Sequence, residues 1–161
     1  EHQRASSMHW TDGVQALNQF SDGYPLLITS EASLAGLNDK LLAAGQQAVS
    51  MGRFRPNIVL GNAPGQAPMA AHDEDRLESL EMATAQGVVR LQPVKPCARC
   101  PIVNIDPLSA ASSPAVNDML QTYRQDARVK GALTFGMNSI TLAGVDQRLT
   151  VGQSVTGLYR F

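Results

Sequence analysis

No apolar stretch in this chain is long enough to span a bilayer, and nothing near its start has the layout of a signal peptide. Neither sign of charge is in excess: 13 Lys and Arg stand against 14 Asp and Glu, a formal net charge of -1. The electrostatic footprint of a nucleic-acid binder or of a protein held on an anionic membrane is therefore missing. Cysteine is scarce, with only Cys97 and Cys100. A disulfide across so short a loop would stabilise little, and a disulfide-built secreted domain carries more cysteines. The expected compartment is reducing, taken as the cytoplasm, with both thiols open to a metal or a redox partner. The three histidines, His2, His9 and His72, are too irregularly spaced for a Cys2His2 finger. No internal repeat, low-complexity tract or interdomain linker interrupts the chain. It begins at Glu1 without an initiator Met, as a fragment or processed form would.

What remains is a globular composition of 161 residues, 43% hydrophobic, enough for one domain with its own core. Pro25 to Thr29 reads as a buried strand entered through the turn residues Ser21, Asp22 and Gly23. Ser30 then serves as a helix N-cap with Glu31 in the first turn. Leu34, Leu37, Leu41 and Leu42 recur at helical spacing, and Gly45 closes the helix. Pro56 to Leu60 is a second strand, followed by a Gly-, Ala- and Pro-rich loop from Gly61 to Ala71. On composition alone Glu74 to Met82 suits a helix, although Leu77, Leu80 and Met82 fit neither period. Val88 to Val94 alternates and predicts a strand into the cysteine loop, and Ile102 to Asp106 a strand out of it. Ser113 and Pro114 open a second helix whose apolar face is Val116, Met119, Leu120 and Tyr123. Strands at Leu133 to Phe135, Ser139 to Leu142 and Ser154 to Tyr159 follow, with a turn-bounded link at Leu149 to Gln153. Many short strands and two helices predict a mainly β fold, a barrel or strongly bent sheet.

Three segments could carry chemistry. In Pro96-Cys97-Ala98-Arg99-Cys100-Pro101, Lys95 and Arg99 favour the thiolate, the form that ligates metals, and the flanking prolines stiffen the loop. Two inert small hydrophobes in a strand would explain the same cysteines. A thioredoxin-like role would begin a helix at the motif, whereas Pro101 and the β-rich run after it predict a strand. Arg53-Phe54-Arg55-Pro56-Asn57 offers guanidinium forks for a phosphate and an amide that both donates and accepts; a solvated basic edge accounts for it equally. Gly23 would let backbone approach a ligand, and Thr134 to Asn138 would line a pocket or form a bulged strand end.

The order of these segments resembles the MOSC domain, named for molybdenum cofactor sulfurase C-termini. The runs Ser21-Asp22-Gly23-Tyr24-Pro25, Ser30-Glu31-Ala32-Ser33-Leu34, Phe54-Arg55-Pro56-Asn57-Ile58-Val59, Pro96 to Cys100, Ile105-Asp106-Pro107, Phe135-Gly136-Met137-Asn138 and Val151 to Val155 carry it. It is clearest over residues 20–161, as a single MOSC domain. The branch it is most similar to holds the bacterial YcbX proteins and the mitochondrial amidoxime-reducing component. That resemblance implies a MOSC-type β-barrel that binds a molybdenum–molybdopterin cofactor, in a chemistry independent of pyridoxal phosphate. It implies Cys100 as the metal ligand and as the residue at the reacting centre. Arg55, Asn57, Ala98, Arg99, Gly23 and Tyr24 would line the cofactor, with Arg55 at its phosphate. It also places a strand, not a helix, at Glu74 to Met82.

The implied activity is an oxidoreductase that reduces small N-hydroxylated compounds with electrons from a separate carrier or a fused ferredoxin-like domain. The N-terminal β-rich domain of the branch is expected to be largely or wholly missing from this sequence, and no cysteines beyond Cys100 offer an iron–sulfur domain within it. A domain cut from a longer protein is expected, with a site completed by that N-terminal region. A non-catalytic alternative is a carrier of the cofactor, or of sulfur for metal–sulfur cluster assembly, through Cys97 or Cys100. An interaction module with an empty barrel is a third reading.

Overall fold

In the computed structural model, which describes residues 4–18 and 23–160, the chain opens as a small antiparallel pair, β1 (Arg4–Ala5) and β2 (Leu17–Asn18). The sequence carries no periodicity there. Ser21 and Asp22, expected in the first turn, lie outside the described residues.

From Leu26 the chain follows the expected order of strand, helix and strand. β3 (Leu26–Ser30) runs straight into α1 (Glu31–Ala43). Ser30 is the hinge between them: its Oγ accepts from the Ser33 N–H at 3.0 Å, and Glu31 sits in the first turn beside the exposed helix amides. Leu37 and Leu41 are fully buried, while Leu42 is 57% exposed at the stripe's margin. Past the C-cap Ala44, Gly45 takes φ +73° and the Gln46 N–H returns to the Leu41 carbonyl, a glycine-dependent stop. β4 (Ile58–Leu60) then pairs parallel with β3.

β5 (Leu77–Thr84) and β6 (Gly87–Ala98) form an antiparallel hairpin, so the family resemblance, not composition, was right at Glu74 to Met82. Asp73–Arg76 is a 3₁₀ turn, and β5 shifts register against its neighbour between Leu77 and Ser79. That bulge is why Leu77, Leu80 and Met82, all buried, fit no single period. After α2 (Ala115–Gln121) come β7 (Gln125–Asp126), β8 (Ala132–Ala143) and β9 (Thr156–Tyr159). The sheet order is β4-β3-β8-β6-β5-β9, with β7 against β8, and every pairing but β3–β4 is antiparallel. The sheet curls into a half-barrel, so the mainly β, barrel-type expectation holds.

Three local expectations are corrected. The two strands expected at Leu133–Phe135 and Ser139–Leu142 are one, β8. Between them Gly136, at φ +77°, absorbs an extra residue where β6 steps from Pro96 to Ala98 while β8 steps from Met137 to Thr134. A positive-φ glycine bends a strand without ending it. The strand expected at Ile102 to Asp106 is a 3₁₀ turn, Pro101–Asn104, with one isolated bridge from Ile105 to Ser112. Pro101 has no N–H for a ladder and a φ suited to a first helical turn, and that turn buries Val103 completely. Finally, α2 begins one residue later than Pro114; Ser113 Oγ accepts from Ala115, and Asn104 Oδ1 from Asn117.

One core cluster, including Ile28, Leu80, Val89 and Leu91, lies across the sheet. A second, with Leu37, Leu41, Val103, Val116 and Leu120 around the stacked rings of Phe54 and Phe135 (centroids 3.9 Å apart), joins both helices to it. No helix among the described residues is long and apolar enough to cross a membrane.

Candidate functional site around the cysteine strand

The cysteines are separated by the pleat of a strand. β6 includes Cys97 and ends at Ala98, but the Arg99 N–H still donates to the Leu133 carbonyl at 2.8 Å. Burial alternates across the four residues: Cys97 and Arg99 are half-buried, Ala98 and Cys100 exposed. Cys100 is itself extended (φ -87°, ψ 169°) and stands at the N-cap of the Pro101–Asn104 turn, its side chain making no capping bond.

The arginine segment lies against this loop. Arg53 Nη2 reaches Asp106 at 3.2 Å and its Nη1 the Val103 carbonyl at 3.3 Å, so Arg53 ties the turn of Met51–Arg53 to that of Pro101–Asn104. The paired-arginine grip is thus reduced to Arg55, which is exposed and has no side-chain partner among the described residues. Arg55 holds φ +53°, a conformation that costs a non-glycine residue on the order of 1 kcal/mol. Phe54 before it is fully buried, and its carbonyl receives Arg99 Nη2 at 3.0 Å. Two residues after it, Asn57 locks β4 to β3: Leu27 N–H donates to Asn57 Oδ1 at 2.8 Å, and Asn57 N–H to the Leu27 carbonyl at 2.9 Å. Its Nδ2 has no protein partner among the described residues.

The remaining expected site residues stand further back. The Gly23 carbonyl accepts from Asn18 Nδ2 at 3.3 Å, and a Cβ added at Gly23 would meet nothing within 4 Å. Tyr24 is buried with Ala16, Val94 and Ile140, and burial pushes its phenol up. Lys95 Nζ lies 5.8 Å from the Tyr24 ring centroid and 5.6 Å from that of Trp10, which directs this cation to aromatic faces. Of Thr134 to Asn138, Thr134, Phe135 and Met137 are buried in β8, and Gly136 forms the bulge described above. A depression of about 590 Å³ does exist at the opposite end of β6, where Thr84, Gln86, Asp146 and Arg148 contribute to its wall.

Sequence reasoning missed the parts that join these segments. Phe54 carries the contact between the two loops through its carbonyl, which no motif marks. Asp106 anchors Arg53, and the Ser109 and Leu108 amides hold its carboxyl below the usual carboxylate range. A buried polar knot also escaped notice. Glu74, fully buried, accepts from Ser30 Oγ at 2.9 Å and from Ser33 Oγ at 2.6 and 2.7 Å, and burial pushes its carboxyl up. Beside it Arg124 bridges Asp75 at 2.7 Å and Thr134.

Among the described residues no three His, Cys, Asp or Glu side chains gather where they could hold a metal ion. The donor set is one exposed thiol, one exposed guanidinium and one half-committed amide. Such a set fits a group that brings most of its own metal ligands and an anionic tail.

The half-barrel sheet with its two helices is a mainly β architecture. The chain belongs to the MOSC domain family, whose model matches residues 16–156. It is 36% identical over 107 residues to the human mitochondrial amidoxime-reducing component 1, covering 66% of this chain and 28% of that protein. To the molybdenum cofactor sulfurase of Aspergillus terreus it is 32% identical over 127 residues, 76% of this chain and 14% of that protein. The Bos taurus mitochondrial amidoxime reducing component 2 is 33% identical over 88 residues, 55% of the chain and 22% of the relative. The chain therefore spans less than a third of each of these relatives.

Proposed function

We propose that this chain is the part of an oxidoreductase that holds a molybdenum–molybdopterin cofactor, with Cys100 as the protein's ligand to the metal. The observation that carries the reading is the exposed Cys100 thiol on a loop packed against the segment of Arg55, an exposed guanidinium with no side-chain partner among the described residues. Thiolate is the metal-binding form of cysteine, and a guanidinium fork matches a phosphate. Ala98, exposed beside Cys100, would border the cofactor, and Asn57 would offer Nδ2. Arg99, Gly23 and Tyr24 would support it from behind. When bound, the cofactor supplies the two-electron metal chemistry that removes oxygen from an N–OH group. The protein's part is to fix one sulfur at a rigid strand end and to anchor an anion.

Reduction of small N-hydroxylated compounds is supported by the identity to proteins named as amidoxime-reducing. In this reading a separate carrier or a fused ferredoxin-like domain brings electrons, and an N-terminal region of the full-length protein completes the site. The scarcity of cysteine supports a reducing compartment such as the cytoplasm. A second reading, a carrier of the cofactor or of sulfur, is favoured by the 127-residue match to a molybdenum cofactor sulfurase.

The test is metal and pterin analysis of the full-length protein, purified from a host that makes the cofactor. Wild type should carry both in near-equal amount, and Cys100→Ala should lose the metal at least tenfold. Metal-free wild type, or a fully loaded Cys100→Ala, ends this reading.

A further inference from the structure

Cys97 and Arg99 share one side of the strand end, and their side chains meet. Arg99 Nη1 donates to Cys97 Sγ at 3.0 Å while Nη2 donates to the Phe54 carbonyl at 3.0 Å. The guanidinium carbon lies 5.7 Å from the Phe54 ring centroid, and Nε is buried without a partner. The fork is thus turned into the protein, not toward the exposed side where Cys100 stands. Its two acceptors belong to the two segments whose next residues are the site's exposed groups: Phe54 precedes Arg55, and Arg99 itself precedes Cys100. A disulfide between the cysteines is disfavoured by the same geometry. Four residues on an extended course put their end Cα atoms roughly 10 Å apart, beyond the about 7 Å that a disulfide spans.

We infer that Arg99 and Cys97 are a positioning clamp: the guanidinium, seated between the Cys97 sulfur and the Phe54 carbonyl, sets where the Cys100 thiol stands relative to Arg55. Cys97 serves as a hydrogen-bond acceptor here, not as a second metal ligand or a sulfur carrier. The role rests on the cofactor reading above; the clamp itself does not. Two features of Arg are required, a planar fork that reaches two acceptors and a fixed angle between them, and lysine has neither.

Two measurements test this. In the first, the chain is alkylated with iodoacetamide and each cysteine is followed by mass spectrometry, with Tm recorded in parallel. Wild type should modify Cys100 at least tenfold faster than Cys97. Arg99→Lys should speed Cys97 at least fivefold and leave Cys100 within twofold. An unchanged Cys97 rate overturns the clamp, and a rise at both cysteines with a lowered Tm marks loss of fold in place of it. In the second, molybdenum content of the full-length protein is compared across variants. Cys97→Ser, which keeps an acceptor, should retain metal within twofold of wild type, whereas Arg99→Lys should lose at least fivefold. If Cys97→Ser empties the site as Cys100→Ala is expected to, or Arg99→Lys stays full, the positioning role is wrong. Full metal in Cys100→Ala would sink the cofactor reading and the positioning role with it, with the alkylation result still deciding whether the clamp exists.

Discussion

At the scale of single residues, the candidate site combines groups that hold the fold with polar groups that have no protein partner among the described residues, and Asn57 is both. Its Oδ1 satisfies the Leu27 N–H, and Leu27 is itself largely buried. Asn57→Ala leaves that donor unpaired, so chemical denaturation should register a loss of about 1–3 kcal/mol. Asn57→Asp keeps the acceptor and should cost well under half of that, yet it brings a negative charge where the cofactor phosphate is proposed to lie. Anion binding by the Asp variant, measured with inorganic phosphate or pterin retention, should fall while stability holds. Equal stability losses for Ala and Asp would show that Oδ1 is not what matters. Gly136 is simpler. A Cβ there would sit 2.6 Å from the Ile28 carbonyl oxygen and from Thr29 Cγ2, at φ +77°. Both the clash and the conformation oppose any side chain, so Gly136→Ala should destabilise by about 2 kcal/mol or more. A midpoint shift under about 0.5 kcal/mol would mean that β3 and β8 separate easily.

At the scale of elements, α1 shows what was legible. Ser30, Glu31, the leucine spacing and Gly45 each state a local rule, and all four were met in the structure. The strand at Ile102 to Asp106 was misread because apolar residues in succession specify burial, not backbone geometry; Pro101 and the burial of Val103 decided for a turn. β8 was read as two pieces because a bulge glycine looks like a terminator when the partner strands are unknown. The site was legible only in part. The exposed pair, Cys100 and Arg55, came through family resemblance, whereas the Arg99–Cys97–Phe54 link depends on a carbonyl and a strand pleat that sequence does not display. The N-terminus of α1 adds a contact of the same hidden kind. Ser33 Oγ donates to Glu74 and accepts from the His72 N–H at 2.8 Å, all fully buried but His72. Ser33→Ala should therefore cost about 2–3 kcal/mol by thermal or urea unfolding, more than the ~1 kcal/mol of an ordinary cap. A loss below about 1 kcal/mol would mean that water replaces the hydroxyl.

At the scale of the whole molecule, α1 through Ser33, the chain after α2 through Tyr123, and β8 through Phe135 converge on His72. Its ring lies 5.6 Å from Tyr123 and 5.8 Å from Phe135, centroid to centroid. Burial, with the positive charges of Arg124 and Lys40 behind it, lowers its pKa to about 4. Unfolded, the imidazole titrates near 6.5, so below that pH the unfolded chain binds a proton that the folded chain refuses. Stability contributed by the neutral ring is complete above about pH 6.5 and is lost as pH falls toward 4. The full linkage amounts to roughly 3 kcal/mol, and partial solvent access of the ring reduces it to about 2. Glu74 and Asp75, both raised chiefly by burial, act with the opposite sign. Each loses stability as pH rises from its ordinary value through its folded one, which partly masks the histidine in wild type. His72→Phe keeps a ring against Tyr123 and Phe135 but cannot titrate, so the comparison isolates one group. Urea midpoints measured from pH 7 to 4 should fall more steeply in wild type than in the variant, so that the stability difference between them shifts by about 2 kcal/mol against wild type over that range. Parallel curves would show that His72 reaches solvent freely and that acid sensitivity lies elsewhere in the molecule.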